Sequence, residues 1–364
     1  MALLIAKQLR GWWRARRNQR KARKLAKAKA RLDQRFSDAP FEPAAVKNVA
    51  LLRWDDKLGD ALMSSLFISA LADARPDLRI TLLAGKQAAA LLAGCPGLHH
   101  IEVLDKRSQG TAEQLARFAG QFDAVVDPGT HMSALDLYAL TQLRAPHYIG
   151  WRKQDYQLFD VAIAPTAVHF ADRYLAAAEL LAPGRPLAGQ FYLPQEPSLD
   201  IRLTGQGPAV VINLFGSSVH RRFDRHSASQ LLQWWQQHYP AHQLWLLRIP
   251  GQDNFLEELA AQFPGIQITP GPASLAMTFA LLQQADLVFT PDTAVVHFAS
   301  ALQRPLLALF QYGPDNFAEW APRSPRQQVV FTRQPQHAND KVNVADYNPD
   351  DLARAIDTLL GAPA

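Results

Sequence analysis

Residues 49–63 read VALLRWDDKLGDALM, an apolar run that passes through a short polar turn into a second apolar run. The first run, Val49 to Trp54, opens with four consecutive apolar residues, which predicts a strand buried on both faces. The second run continues to Leu71 with apolar residues three and four apart, which predicts a helix with an apolar face. A buried strand that leads directly into a helix is the repeating unit of a parallel α/β sheet.

The same pattern recurs along the chain in two series. The first series predicts further strands at Arg79 to Ala84, His100 to Leu104, and Phe122 to Asp127. The second series predicts strands at Ala209 to Leu214, Gln243 to Arg248, Asp286 to Thr290, and Leu306 to Phe310. We therefore predict an α/β fold of two doubly wound, Rossmann-like domains that face a cleft, with ligands at the carboxyl ends of the strands.

A linker is predicted between the two series, because residues 182–208 contain five prolines and four glycines. Near the carboxyl terminus, Asn348 is expected to cap a helix that begins at Pro349. The apolar stripe of this helix must pack against another surface, and one possibility is that the helix packs back on the N-terminal domain. The predicted parts are a basic amphipathic tail (1–36), an N-terminal Rossmann-like domain (44–185), a C-terminal one (186–335), and a C-terminal segment with a helix (336–364).

Charge is unevenly distributed along the 364 residues. Residues 1–35 carry 13 Lys and Arg against one acid, Asp33, whereas the remainder carries 25 basic and 32 acidic residues. The basic tail also holds apolar residues at helical spacing, namely Leu4, Ile5, Leu9, Trp12 and Trp13. This composition favours a helix that lies reversibly on an anionic membrane surface. The alternative is a solvated arm that keeps the chain soluble or binds RNA weakly.

The composition also limits the compartment. The single cysteine, Cys95, has no partner for an internal disulfide, and no Cys and His cluster indicates structural zinc. No stretch approaches the roughly 18 apolar residues of a spanning helix. The short apolar run at the start precedes its basic residues, which is the reverse of a secretory signal. We therefore expect a cytoplasmic protein.

The turn after the first strand carries the first candidate for catalysis. Asp60 lies where the strand gives way to the helix, a position that suits an N-cap and also a general base that accepts a proton from an acceptor hydroxyl. The two roles are compatible in part. Lys57 in the same turn is a candidate for contact with an anionic acceptor. It could equally pair with Asp55 or Asp56.

The turn after the first strand of the second series carries small residues followed by cations. Gly216 and Ser217 permit close approach of the backbone, and Arg221 and Arg222 follow. Backbone amides together with Arg side chains suit a diphosphate, because Arg binds its oxygens in a bidentate way. The alternative interpretation is a solvated basic loop.

A third candidate turn follows the predicted strand that ends at Thr290. Asp292 or Thr293 is expected to start a helix whose free amide groups and partial positive charge face an anion such as a departing diphosphate. Taken singly, Asp292 is also explained as a helix cap, and His297 as a helix residue that faces its neighbours.

At these three turns, and from Pro305 to Trp320, the chain resembles the heptosyltransferase family of inverting glycosyltransferases with the two-domain GT-B architecture. The resemblance covers roughly residues 46–361. Its strongest elements are Leu58-Gly59-Asp60 and the run DTAVVH from Asp292 to His297. Asp127-Pro128-Gly129 with Ser133 is a weaker match to the acceptor side of the family pattern.

The resemblance implies roles for individual residues. It implies Asp60 as the catalytic base. It implies a donor site at Ser217, Arg222, Asp292, Thr293, Ala294 and His297, and acceptor contacts at Lys57, Asp127 and Ser133. Three positions depart from the family pattern: Ala294 stands where glycine is usual, Arg222 stands in place of a lysine, and Lys57 stands where a small hydroxyl residue is common.

The resemblance also implies the substrates and the location. The donor is expected to be ADP-heptose or another nucleotide sugar, without a cofactor or metal, and the acceptor a lipid A/core oligosaccharide of lipopolysaccharide. Such an enzyme would be cytoplasmic and peripheral on the inner face of the inner membrane. One alternative, consistent with Ala294, is a noncatalytic nucleotide-sugar or lipopolysaccharide-binding protein. A nucleic-acid-binding protein is a third class, which the acidic body disfavours.

Overall fold

The computed structural model describes residues 2–105, 109–194, 202–203, 205–335 and 342–361. Its strands are β1 (Asn48–Arg53), β2 (Arg79–Ala84), β3 (Leu98–Val103), β4 (Ala124–Asp127), β5 (His147–Trp151), β6 (Val161–Ile163), β7 (Ala209–Ile212), β8 (Gln243–Leu246), β9 (Gln267–Ile268), β10 (Leu287–Pro291), β11 (Leu306–Phe310) and β12 (Gln327–Phe331). Its α-helices are α1 (Ala2–Leu32), α2 (Leu58–Ala74), α3 (Lys86–Leu92), α4 (Gln109–Ala116), α5 (Ala134–Thr141), α6 (Phe170–Leu181), α7 (Arg225–His238), α8 (Asp253–Gln262), α9 (Leu275–Gln284), α10 (Ala294–Ala301), α11 (Pro314–Trp320) and α12 (Pro349–Leu360).

These strands form two parallel sheets with the same internal order. The first sheet runs β3-β2-β1-β4-β5-β6 and the second β12-β11-β10-β7-β8-β9. Each is therefore doubly wound from its central strand, and the winding direction changes between β1 and β4 and between β7 and β10. The predicted α/β class with two Rossmann-like sheets is confirmed. Loops that follow these central strands are the expected ligand sites.

The chain divides into two compact units. Unit 1 comprises Met1–Asp56 and Ser64–Gln190, and unit 2 comprises Lys57–Met63 and Phe191–Ala364. The first turns of helix α2, including Asp60, thus belong by their contacts to unit 2. The division after Gln190 falls within the Pro- and Gly-rich stretch of residues 182–208, five residues beyond the predicted boundary of 185.

The C-terminal helix α12 packs within unit 2. Asn348 caps it by accepting a hydrogen bond from Asp350 N at 3.2 Å, as expected. Its buried residues Leu352, Ile356 and Leu359 join the hydrophobic core that contains strands β7 and β8. The Tyr239 hydroxyl donates to Asp357 Oδ1 at 2.8 Å. The surface that receives the stripe is therefore that of unit 2, which corrects the packing on the N-terminal domain considered from the sequence.

The basic tail is a continuous helix, α1, and its last turns are an integral part of unit 1. Leu25, Ala28 and Leu32, followed by Phe36, pack against the unit 1 core. Asp33 Oδ1 accepts from Leu158 N at 2.9 Å. Residues 25–36 are therefore not a solvated arm. The side chains of Leu4, Ile5 and Leu9 lie outside the described residues. None of the described helices is both long and apolar enough to cross a membrane.

Removing apolar contacts at the packed end of α1 should destabilise unit 1. Leu32→Ala or Phe36→Ala is expected to lower the free energy of unfolding by about 1–2 kcal/mol each, because both side chains are partly buried against the core. The matched control is Trp13→Ala, whose side chain is 63% exposed, with an expected change below about 0.5 kcal/mol. Urea unfolding measures both. Equal losses for Leu32→Ala and Trp13→Ala would contradict the packing of α1.

Candidate active site

The carboxyl ends of β7 and β10 are tied together by one buried amide. Asn213, directly after β7, donates from Nδ2 to Thr290 Oγ1 at 2.9 Å and to Thr293 Oγ1 at 3.3 Å. Its Oδ1 accepts from Phe215 N at 3.1 Å. A buried polar side chain with several partners holds the backbone around it in one arrangement. Asn213 therefore fixes the β7 turn relative to the start of α10, a role that the sequence analysis did not assign.

Helix α10 begins with Thr293 as its N-cap. The Thr293 hydroxyl accepts from Val295 N at 3.2 Å, and Ala294 is the first helical residue. The interpretation of Asp292 as a cap is therefore wrong, because the adjacent residue fills that position. Ala294 is not among the residues with positive φ, so alanine causes no backbone strain here. The amino end of α10 presents amide groups and partial positive charge as predicted.

Asp292 is a buried carboxylate with a cation and an amide as partners. Its Oδ2 lies 3.2 Å from Arg221 Nη1 and accepts from Asn316 Nδ2 at 3.0 Å. Arg221 Nη2 in turn donates to Asn316 Oδ1 at 3.2 Å. Burial raises the pKa of Asp292, and the charges of Arg221 and Lys57 with the Asn316 hydrogen bond oppose that rise. The three side chains Arg221, Asp292 and Asn316, termed the Asp292 cluster below, connect the turn after β7, the end of β10 and helix α11.

The two adjacent arginines of the β7 turn have different surroundings. Arg221 belongs to the Asp292 cluster, whereas Arg222, the residue that the resemblance places at the donor phosphates, is exposed. Ser217 is exposed in the same turn. A Cβ on Gly216 would overlap the Arg221 carbonyl oxygen, so the turn requires glycine at that position. Sequence reasoning missed Arg221 because two neighbouring arginines look alike until the backbone register of the turn is known.

The segment Lys57–Met63 lies against the start of α10. A Cβ placed on Gly59 would be 2.7 Å from His297 Cδ2 and 3.4 Å from Ala294 Cα. His297 is buried, and its ring centre lies 5.9 Å from that of Trp320. The absence of a side chain at Gly59 therefore permits this close packing, and it brings the adjacent residue Asp60 to the same edge of unit 2 as α10.

Asp60 is buried in the first turn of α2. The helix begins at Leu58, so Asp60 is its third residue and not its N-cap. Lys57 Nζ lies 3.8 Å from Asp60 Oδ2. Because the charge of Lys57 also acts on Asp292, this lysine lies near both carboxylates. The Lys57 side chain is 66% exposed, which leaves its charge accessible to solvent.

The two other carboxylates of the turn after β1, Asp55 and Asp56, have structural partners in unit 1. Asp55 Oδ1 lies 3.0 Å from Arg53 Nη2. Asp56, with a φ of 59°, accepts at Oδ1 from Gln87 N at 2.7 Å, and so holds the amino end of helix α3. Among the described residues, no three His, Cys, Asp or Glu side chains are grouped in a way that would hold a metal ion.

The predicted acceptor residues Asp127 and Ser133 lie in unit 1. Asp127, at the end of β4, pairs with the buried Lys153 and accepts from Gly129 N at 3.0 Å. Ser133 caps helix α5: its hydroxyl accepts from Asp136 N at 3.1 Å. Each residue therefore has an internal structural role. The partner Lys153 was missed, because nothing in its local pattern separates a buried lysine from a surface one.

Comparison with known proteins identifies related sequences and folds. The sequence model of glycosyltransferase family 9 (heptosyltransferase) matches residues 115–348. An Escherichia coli K12 protein, provisionally named lipopolysaccharide heptosyltransferase 4, is 24% identical over 281 residues, 74% of this chain and 76% of that protein.

Three solved structures share the fold. The glycosyl transferase family 9 protein of Veillonella parvula has a TM-score of 0.68 and 16% identity, covering 88% of this chain and 98% of that one. The Escherichia coli ADP-heptose lipopolysaccharide heptosyltransferase II has a TM-score of 0.62 and 19% identity, with coverage of 86% and 98%. The Escherichia coli heptosyltransferase WaaC, solved with ADP, has a TM-score of 0.62 and 15% identity, with coverage of 86% and 99%.

A methyl group at Gly59 should disturb its packing on α10. Gly59→Ala is expected to lower the free energy of unfolding by about 1–3 kcal/mol, because the new Cβ would overlap the His297 ring. His297→Ala makes room for that methyl group. The double variant should therefore lose less free energy of unfolding than the sum of the two single variants. Strictly additive losses in urea unfolding would show that Gly59 and His297 are not in contact.

Arg221 should stabilise the buried charge of Asp292, and Arg222 should not. Arg221→Ala is expected to lower the free energy of unfolding near neutral pH by about 1–3 kcal/mol, against less than about 0.5 kcal/mol for the exposed Arg222→Ala. Without Arg221 the pKa of Asp292 rises further. A carboxyl pKa above its unfolded value means that the folded state binds more protons, so stability falls as pH rises from about 3.8 through the folded pKa.

The loss of unfolding free energy in Arg221→Ala, relative to the parent chain, should consequently grow as pH rises from about 3.8 through the folded pKa of Asp292. Urea unfolding at a series of pH values measures it. Two results would show that Arg221 does not stabilise the charge of Asp292: a loss of unfolding free energy that is the same below pH 3.8 and at neutral pH, or a loss equal to that of Arg222→Ala.

Proposed function

This chain belongs to glycosyltransferase family 9, the heptosyltransferase family, and we propose that it moves a heptose or a related sugar from an ADP-sugar to a lipopolysaccharide core acceptor with inversion at the anomeric carbon. The chain is thus a glycosyltransferase. The related proteins support this choice of substrates, since one is named for lipopolysaccharide and another was solved with ADP. The observation that supports the proposal most directly is the close packing of Gly59, the neighbour of Asp60, against Ala294 and His297 of α10.

The donor diphosphate is proposed to bind at the amino end of α10. Backbone amides of Thr293 and Ala294, together with the helix dipole, attract an anion at this position. The exposed Arg222 supplies a cation for the phosphate oxygens, with Ser217 in the same turn as a hydroxyl donor. Asp292 and His297 complete the donor contacts, and Arg221 with Asn316 holds Asp292 in position. The proposal requires no cofactor or metal ion.

Asp60 is proposed to act as the general base. The acceptor hydroxyl gives its proton to the Asp60 carboxylate while its oxygen attacks the anomeric carbon from the face opposite the diphosphate. A bond from the acceptor oxygen to that carbon forms as the bond to the diphosphate oxygen breaks, and the electron pair leaves with ADP. Arg222 and the amino end of α10 stabilise the charge that develops on the leaving group. A single displacement of this kind inverts the configuration.

The acceptor contacts are proposed at Lys57, Asp127 and Ser133. The exposed ammonium of Lys57 suits an anionic acceptor, because opposite charges attract before and during binding. Asp127 is neutralised in part by Lys153, and its carboxylate oxygens can still accept from sugar hydroxyls.

The alternative of a noncatalytic binding protein rests on Ala294. Its ordinary helical backbone leaves the start of α10 intact. This backbone fits both an enzyme and a protein that binds the donor without turnover, so detectable sugar transfer from a nucleotide sugar is the result that would exclude the noncatalytic alternative.

The decisive experiment separates the chemical step from donor binding. Asp60→Asn keeps the size of the side chain and removes the base, so the kcat for transfer from ADP-heptose to a lipid A core acceptor should fall by about 10²–10⁴-fold. The Kd for ADP should change by less than about threefold, because the diphosphate is held by groups on α10 and the β7 turn.

The matched control is Asp73→Asn, an exposed carboxylate on the same helix, which should retain normal kcat. A kcat for Asp60→Asn within tenfold of the parent enzyme would rule out Asp60 as the base, as would a loss of transfer at low donor concentration that disappears at saturating donor.

A further inference from the structure

We propose that helix α1 docks on an anionic lipid bilayer through one face that the fold leaves uncovered. This cationic face consists of Trp12, Arg16, Arg20, Arg23 and Lys27, which follow one another at intervals of three and four residues. Residues at this spacing lie on one side of a helix. The inference rests on α1 and its packing in unit 1, and it does not depend on the sugar-transfer reaction.

The packing of α1 selects which side of the helix is free. Leu25, Ala28 and Leu32 form the stripe that lies against the unit 1 core. Arg23 and Lys27 each stand two residues from Leu25, which places them about 200° away around the helix axis. The stripe that holds α1 on unit 1 and the cationic face are therefore on opposite sides of one helix, and the cationic face points to solvent.

The cationic face combines positive charge with exposed tryptophan. All residues from 15 to 24 are exposed, and no acid occurs in residues 1–32. Trp12 and Trp13 are 49% and 63% exposed, and Arg16 lies 4.4 Å from the centre of the Trp12 ring. Indole rings favour the boundary between headgroups and acyl chains, where Lys and Arg meet anionic lipids.

Charge on the rest of the chain favours a bilayer over a nucleic acid. Proteins that bind nucleic acid carry positive charge along the path of the strand, whereas this chain beyond residue 35 has 25 basic and 32 acidic residues. A bilayer attracts only charges that lie near its surface. A short basic helix on an acidic body is therefore matched to a bilayer.

The docked end of α1 gives membrane binding a structural consequence. The cationic face and the stripe of Leu25, Ala28 and Leu32 belong to one continuous helix. A flexible arm would tether the protein to a bilayer without orienting it. A helix fixed to the core of unit 1 also sets which side of that unit faces the lipid.

Vesicle binding by the full chain tests the proposal. The probe is vesicles of phosphatidylcholine with phosphatidylglycerol, compared with vesicles of phosphatidylcholine alone, in a flotation assay. Arg16→Glu/Arg20→Glu should weaken binding to the anionic vesicles by at least about 25-fold, since each cation near the surface contributes about fivefold. Trp12→Ala/Trp13→Ala should also weaken this binding while leaving the Tm unchanged.

The matched control is Arg79→Glu/Arg117→Glu, which makes the same change in net charge at exposed positions of unit 1 outside helix α1. Its binding should stay within about threefold of the parent chain. Three results would overturn the proposal: equal binding to neutral and anionic vesicles, equal weakening by the α1 variant and the control variant, or displacement from vesicles by an equal mass of single-stranded RNA.

Discussion

The missing side chain of Gly59 is the constraint on which the arrangement of the active site depends. Any Cβ at this position would be 2.7 Å from the buried ring of His297, so only glycine lets the first turn of α2 lie against the start of α10. The following residue, Asp60, is thereby carried to the edge of unit 2 where a helix terminus offers its amides. A carboxylate and a helix amino terminus in one unit are the two components that the proposed displacement requires.

Electrostatics at this edge follow from the burial of one acid. Asp292 is buried at the end of β10, which is tolerated because Arg221 and Asn316 satisfy its oxygen. Lys57 adds a second positive charge that acts on both Asp292 and Asp60. Arg221 is thereby committed to the Asp292 cluster, whereas the exposed Arg222 is available to a ligand. Two adjacent arginines thus have different roles: Arg221 is structural, and Arg222 is proposed to bind the donor.

The sequence was sufficient for the fold class because the central strands of a parallel sheet are continuous apolar runs. Strands β2 and β11 were predicted with the bounds they have. Strand β5, His147–Trp151, was not predicted, since its five residues mix His, Tyr, Gly and Trp, and only burial in the sheet distinguishes it from a loop. The packing of the end of α1 on unit 1 was also missed. Its apolar stripe is short, only Leu25, Ala28 and Leu32 among lysines and alanines, and the surface it packs on is formed by residues distant in sequence.

The candidate site could be located from the sequence but not resolved into contacts. Turns after central strands mark a ligand edge in any doubly wound sheet, and so Asp60, Asp292 and Thr293 were chosen as candidates. The pairing of Arg221 with Asp292, and the true cap of α10, depend on backbone register.

The most direct measurement of the central claim is the anomeric configuration of the transferred sugar, determined by NMR with a donor of known configuration. A single displacement assisted by Asp60 predicts the opposite configuration in the product; a product with the configuration of the donor would contradict the account.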